Sequence, residues 1–341
     1  MAQGDKVDTG HDYRDAPLED LEGEEPGEAS AAGAADERAW VVDAADHGLR
    51  LDKALVRHVP EFSRSHLQSL IERGCVSLDG CQTTTASFRL RWGQTVRVHL
   101  LPTAQAQAFH PERMVLDIRF EDPHLIVLNK PAGLVVHPAP GHWSGTLLNG
   151  LLAHHASAAQ LPRAGIVHRL DRDTSGVMVV AKTLHAMNAL MRAIAAREVQ
   201  RVYRAVVWGT VGPDEQDFES PIGRDPASRI RMAVVATGKP SRTTVRVVHR
   251  SAKGPWAPYS ALECRLHTGR THQIRVHLAH AGHPLVADAL YGGAPGLGLT
   301  RQALHALRLT FVHPVSGVWV DLDVPLPGDL AAAWDRLAPL R

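Results

Sequence analysis

The 341-residue sequence contains no run of about 18 apolar residues, so no helix that spans a membrane is expected. It opens Met1-Ala2-Gln3-Gly4-Asp5, without the basic stretch and apolar core of a secretory signal. Its three cysteines, Cys75, Cys81 and Cys264, are too few and too scattered for a disulfide framework or a thiolate metal cage. These absences together point to a soluble protein of a reducing cytoplasm. Large apolar residues are nearly missing from positions 1 to 38, and such a stretch cannot bury enough surface to offset its chain entropy. We expect residues 1–38 to be a disordered acidic tail. No repeat of fixed period is present.

Charge is what the sequence has in uneven supply. The net charge is +1, but residues 1–38 hold twelve Asp/Glu against only Lys6, Arg14 and Arg38. The remainder therefore carries 34 basic and 24 acidic residues, a surplus of ten that suits a polyanionic partner.

The first periodic segment lies at 48–101. Leu51, Ala54 and Leu55 share one helical face while Arg50, Lys53 and Arg57 line another. Ser63 is a good N-cap for a second helix that carries Leu67, Leu70 and Ile71 inward, turns Arg64 and Arg73 outward, and stops at Gly74. Asp79-Gly80 marks a hairpin turn, and Val96, Val98 and Leu100 alternate with Arg97 and His99. Two helices and a small sheet with outward basic side chains can grip phosphates by shape. In order and spacing the segment resembles the S4-like RNA-binding domain, with Arg50, Lys53, Arg57, Arg64 and Arg73 as its RNA contacts.

Residues 102–113, rich in Gln, Ala and Pro, read as a linker to a larger domain over 114–341. There, strand-like runs dominate: 125–128, 134–136, 177–180, 199–208, 243–248, 260–266 and 318–324. Two helices interrupt them, at about 184–197 and 271–281. This pattern predicts an α+β fold around a mixed, mostly antiparallel sheet.

Two polar segments at strand ends are dense in reactive groups. In the first, His168-Arg169-Leu170-Asp171-Arg172-Asp173-Thr174-Ser175-Gly176, spacing i and i+2 sends the two carboxylates to opposite sides of an extended chain. Asp173, followed by Thr174 and Ser175, fits a turn cap that binds backbone amides, which leaves Asp171 free. The second is Thr268-Gly269-Arg270-Thr271-His272-Gln273-Ile274-Arg275-Val276-His277, where Thr271 would cap a helix carrying Arg275. An arginine beside an aspartate keeps it ionised, as a nucleophile requires. Spacing alone leaves open an ordinary surface turn with ion pairs.

Both segments resemble the two principal signatures of the RluA-type pseudouridine synthases. Asn129-Lys130-Pro131-Ala132-Gly133, Arg201-Val202-Tyr203-Arg204-Ala205, His283-Pro284-Leu285-Val286-Ala287-Asp288 and Arg301-Gln302-Ala303-Leu304-His305-Ala306 match in the same order, so the likeness runs from about Leu49 to Leu337. The resemblance implies a pseudouridine synthase catalytic domain preceded by the S4-like domain. It implies Asp171 as the catalytic nucleophile, Arg275 as its ion partner and Tyr203 stacked on the target base. Arg169, Arg270, Lys130, His168 and His272 become candidate RNA contacts. It implies no cofactor and no metal, RNA as partner, and a monomer. Within the family, the run Val136-His137-Pro138 together with the S4-like domain points to uridines of large-subunit (23S) ribosomal RNA, or of a ribosome precursor. Here the chain continues Ala139-Pro140-Gly141, where the family often has glycine directly.

Four rival readings compete. The chain could be a ribosomal-RNA binder without catalysis, or could act on transfer RNA. A zinc site at His272, His277, His280 and His283 lacks a Cys or Glu ligand and the spacing of zinc helices. A glycosidase would use Asp171 and Asp173 as paired carboxylates and release free uracil.

Overall fold

A computed structural model describes residues 36–101, 108–139, 141–251 and 258–337, which form two compact units, one ending at Phe109 and the other beginning at His110. The smaller unit runs β1 (Asp36–Val41), α1 (Leu51–His58), α2 (Arg64–Glu72), β2 (Val76–Leu78), β3 (Cys81–Thr83) and β4 (Thr95–Leu100). Its four strands form an antiparallel sheet in the order β1-β4-β2-β3. Ser63 caps α2 by accepting the amide of His66, and Asp79 and Gly80 both take positive φ in the β2–β3 turn. Leu51, Leu55, Leu67, Leu70, Ile71, Val76, Val96 and Val98 are buried together, each leucine contributing about 1.5–3 kcal/mol by leaving water.

The expected tail lies outside the described residues up to position 35. Residues 36–38 are not tail: they open β1, which pairs along β4 with Arg38 opposite Val98 and Trp40 opposite Val96. This strand is held by its partner and by Trp40, which packs on the core and stacks on His58 with ring centroids 4.3 Å apart. Local composition does not carry that information. Among the described residues, the folded unit therefore reaches back to 36, beyond the expected boundary at 48. Of the expected linker, residues 102–107 are outside the described residues, while His110 and Glu112 belong to the larger unit: the carbonyl of His110 accepts Asn149 Nδ2 at 2.8 Å, and Glu112 accepts the Gly145 amide at 3.0 Å.

The larger unit contains β5 (Asp117–Glu121), β6 (Leu125–Lys130), α3 (Leu147–His154), β7 (Ser175–Ala181), α4 (Leu184–Ala195), β8 (Gln200–Trp208), β9 (Glu215–Glu219), β10 (Ile222–Arg224), β11 (Met232–Val234), β12 (Arg242–Ser251), β13 (Tyr259–Leu266), α5 (Gln273–His280), β14 (Leu304–Val312), β15 (Trp319–Asp323) and α6 (Gly328–Leu337). Nine strands form one sheet, ordered β5-β6-β7-β14-β8-β13-β12-β9 with β15 also on β14; β10 and β11 pair separately. The β7–β14 pair is parallel and the other pairs are antiparallel. The expected α+β fold with a mixed, mostly antiparallel sheet is what forms. Where β7 starts beside β14, Gly176 has φ +126°, and a Cβ there would lie 2.2 Å from the carbonyl oxygen of Ala306. Only glycine allows that approach.

One expected strand is absent. Residues 134–136 lie outside any sheet and the chain bends at Val136, because the carbonyls of Val135 and Val136 accept the amides of Leu147 and Leu148 in the first turn of α3.

Candidate active site

The His168–Asp171 segment is pinned from several sides. Buried His168 accepts the amide of Val179 at Nε2, 3.0 Å away, which ties the loop to β7 and places the ring proton on Nδ1. Burial pushes its pKa down to about 3, so the imidazole is neutral. The amide of Thr174 donates to the carbonyl of Asp171 at 3.1 Å and closes the turn. The carbonyl of Arg172 accepts both the Gly133 amide at 2.8 Å and Lys130 Nζ at 3.0 Å. Arg301 donates to the carbonyl of Asp173, and Ser175 Oγ lies 2.9 Å from His305 Nδ1. So many fixed contacts leave Asp171 little freedom to move, the condition for a preorganised group.

The second segment is braced by one buried glutamine. Gln273 Oε1 accepts from Thr268 Oγ1 at 2.7 Å and from the Arg270 amide at 3.0 Å, while its Nε2 donates to the carbonyl of Arg242 and to Thr243 Oγ1. Helix α5 starts at Gln273, one turn position later than Thr271 would set it. Its N-cap is His272 in the left-handed conformation, φ 57°, with no side-chain cap. Thr271 is therefore not the cap; the glutamine brace fixes the helix start instead. His272 uses its ring elsewhere, with Nδ1 2.8 Å from the hydroxyl of Tyr291.

The two segments meet. Arg275 NH1 donates to Asp171 Oδ2 at 2.9 Å, and its Nε and NH2 grip both oxygens of Asp288 at 2.8 and 2.9 Å. Asp288 is 1% exposed. The guanidinium also lies over the ring of Tyr291, 4.9 Å from its centroid. Its planar fork is thus filled on two edges and stacked on one face, an arrangement that lysine could not reproduce. Asp171 keeps Oδ1 out of this clamp, with His272 Nε2 3.8 Å from it, and its side chain remains 17% exposed.

Burial by itself would raise the pKa of Asp171, but neighbouring cations outweigh it and the net direction is downward. His272 heads the neighbours that lower it, although burial pushes His272 itself below its ordinary value. The lasting cations are Arg275 and, farther off, exposed Arg169. Asp173 takes no part: its carboxylate pairs with Arg172 at 3.1 Å rather than capping backbone amides, and it does not line the pocket.

A pocket of about 210 Å³ opens over Asp171, lined among others by Arg169, Leu170, Tyr203, Leu266, Arg270, His272, Ile274 and Arg275. Tyr203 reaches it from β8. Burial lifts its phenol to about 12, so it stays a neutral O–H. Of the expected RNA contacts, His168, Arg169, Arg270 and His272 line the pocket. Lys130 is 0% exposed, and Nζ donates to the carbonyls of Pro131, Leu134 and Arg172 at 2.8, 2.8 and 3.0 Å. Its three N–H donors are used in tying two loops together. His168 likewise serves β7, with 9% of its surface exposed. His277, weighed as a zinc ligand, is engaged with Thr243, Ser241 and Ser220.

In the smaller unit Lys53, Arg57 and Arg73 are exposed, with Arg57 3.4 Å from Asp46. Arg50 and Arg64 instead hold buried Asp52, at 3.0 and 2.6 Å. Sequence reasoning passed over Asp288, Tyr291 and Arg201. The first and last lie within matched runs, yet no spacing announces their tertiary partners.

Comparison with known proteins follows the same lines. A family model described as RNA pseudouridylate synthase matches residues 124–280. The chain is 49% identical over 296 residues to ribosomal large subunit pseudouridine synthase D of Neisseria meningitidis serogroup B, covering 83% of this chain and 77% of that one. It is 48% identical over 293 residues to the protein of the same name from Nitrosomonas europaea, covering 84% and 83%. Among solved structures, human RNA pseudouridylate synthase domain containing 1 superposes with a TM-score of 0.51 at 26% identity, over 69% of this chain and 90% of that one.

Proposed function

Because this chain belongs to the RNA pseudouridine synthase family, enzymes that isomerise uridine within RNA, we propose that its substrate is large-subunit (23S) ribosomal RNA and that Asp171 is its nucleophile. The relatives named for that RNA are the basis for the substrate. The observation that carries the catalytic assignment is the chain of contacts from Asp171 through Arg275 to Asp288, which engages one carboxylate oxygen and leaves the other facing a pocket.

The reaction cuts the bond between the sugar and ring nitrogen N1, turns the ring, and joins the sugar to ring carbon C5. The hydrogen on C5 leaves and N1 gains one, so the product is an isomer and no electrons are exchanged. Asp171 attacks the flipped-out uridine through Oδ1. Arg275 keeps the carboxylate charged and oriented, which its own strongly held proton allows. Tyr203 stacks on the ring and, as a neutral phenol, can give or accept a hydrogen bond. Extruding the base costs a few kcal/mol, and phosphate contacts from Arg169 and Arg270 help offset this.

The smaller unit is S4-like and supplies shape-directed RNA binding through Lys53, Arg57 and Arg73. A ribosomal-RNA substrate accords with a cytoplasmic protein. The test is to map pseudouridine across 23S ribosomal RNA from cells lacking the gene, with and without a plasmid copy. Loss at discrete positions, restored by the wild-type copy and not by Asp171→Asn, is expected. An unchanged map would reject the substrate, and restoration by Asp171→Asn would reject the nucleophile.

A further inference from the structure

Arg201 on β8 lines the pocket two residues before Tyr203, on the same face of the strand, and is 6% exposed. Buried arginines are ordinarily paired, because an uncompensated guanidinium loses its hydration without return. Arg275 in the same pocket has two carboxylates. Among the described residues no carboxylate lies within 4.0 Å of Arg201, and its Nε has no hydrogen-bond partner. The titratable groups felt around it, His168 and the phenol of Tyr203, are both kept neutral by burial. Burial accordingly draws its proton affinity down.

The surrounding chain makes room for this cation. Gly269, in the loop before α5, would place a Cβ 2.7 Å from Arg201 NH1, so the guanidinium occupies the space that any side chain at 269 would need. A buried cation that is unpaired, has room made for it and faces a pocket is arranged to meet an anion arriving with the ligand.

We propose that Arg201 binds an anionic oxygen of the nucleotide drawn into the pocket. The assignment rests on the pocket being the uridine site. Two oxygens have the right chemistry: a phosphate oxygen flanking the target uridine, and a carbonyl oxygen of the uracil ring, which gathers negative charge once the bond to the sugar is cut. The first would be felt equally in binding and reaction. The second would be felt only as the ring departs.

The experiment uses the full chain with a 23S ribosomal RNA transcript and compares wild type, Arg201→Met, Arg201→Lys and Gly269→Ala. It measures RNA affinity against salt, single-turnover pseudouridine formation at saturating enzyme, and melting temperature. A phosphate contact predicts that Arg201→Met weakens binding and reduces the salt slope by about one, with the saturated rate kept. A contact to the ring oxygen predicts unchanged binding and a saturated rate lower by about 10²–10³-fold. In either arm Arg201→Lys recovers part of the loss, and the melting temperature of Arg201→Met is unchanged or raised, since an unpaired buried charge has been removed. Gly269→Ala, which displaces the guanidinium without deleting it, shows the same defect in weaker form. Should Arg201→Met prove insoluble, Gly269→Ala carries the test. Binding and rate both within twofold of wild type in the two substitutions would overturn the proposal. So would losses that track a lowered melting temperature in Arg201→Met and Arg201→Lys alike. If wild type forms no pseudouridine in the transcript, the substrate reading fails instead, and the two failures are thereby told apart.

Discussion

The two units each hold an aspartate against arginine, and the difference between Asp52 and Asp171 separates a clamp from a reactive group. Asp52 is 0% exposed and both of its oxygens are taken, Oδ1 by Arg50 and Oδ2 by Arg64 and Gln68 at 2.6 and 3.0 Å. Its pKa is driven well below the usual carboxylate range, first by the bond from Arg50. Asp171 is also held below that range, but Arg275 engages a single oxygen and the other meets a pocket. Ionisation is common to both. What Asp171 has and Asp52 lacks is an oxygen with nothing else to do.

The largest effect that would break this comparison belongs to Asp171→Asn. We expect single-turnover pseudouridine formation to fall by at least about 10³-fold with RNA binding largely kept, measured by chromatography of digested RNA. Asp288→Asn comes next. It loosens the grip on Arg275, and we expect a rate lower by roughly 10–10²-fold, with unfolding free energy reduced by about 3 kcal/mol because a buried pair is broken. A normal rate in Asp288→Asn would mean that the second carboxylate does not hold the first in place.

Asp52→Asn is expected to reverse the pattern, lowering stability by about 3 kcal/mol while leaving the rate at saturating RNA unchanged, as read by denaturant unfolding and single-turnover assay. The pH dependence sharpens this. The folded pKa of Asp52 lies below its unfolded value, so its contribution is full above about pH 4 and is lost as pH falls through the folded pKa. Wild type should therefore shed stability over that acid range that Asp52→Asn never had. The smallest effect is that of Lys53→Ala. RNA affinity should fall slightly and the salt slope should drop by about one, with the saturated rate unchanged, by filter binding at several salt concentrations.

How much the sequence disclosed follows from how local each feature is. The helix ends at Ser63 and Gly74, the Asp79-Gly80 turn and the strand at 177–180 depend on neighbours in the chain, and all were legible. The joining of Asp171 with Arg275 across 104 residues was legible through the resemblance, not through spacing. Strand β1 was hidden because its stability comes from β4 and from Trp40 on His58. The run 134–136 reads as a strand by composition, but its carbonyls cap α3. Lys130 reads as a surface cation because lysines seldom are fully buried, and only the three converging carbonyls reveal its place. Thr271 reads as a cap until Gln273 is seen to brace the loop. Asp288 has no local mark of its grip on Arg275, since that contact exists only in the folded chain.

The most direct test of the central claim, that Asp171 reacts as a carboxylate kept ionised by Arg275, is the pH dependence of the single-turnover rate at saturating RNA. Wild type should show no loss attributable to a carboxylate from about pH 8 down to about pH 5, whereas Arg275→Gln, slower throughout, should show an acid limb moved up into that range. An acid limb near pH 6 in wild type, left in place by Arg275→Gln, would contradict the account.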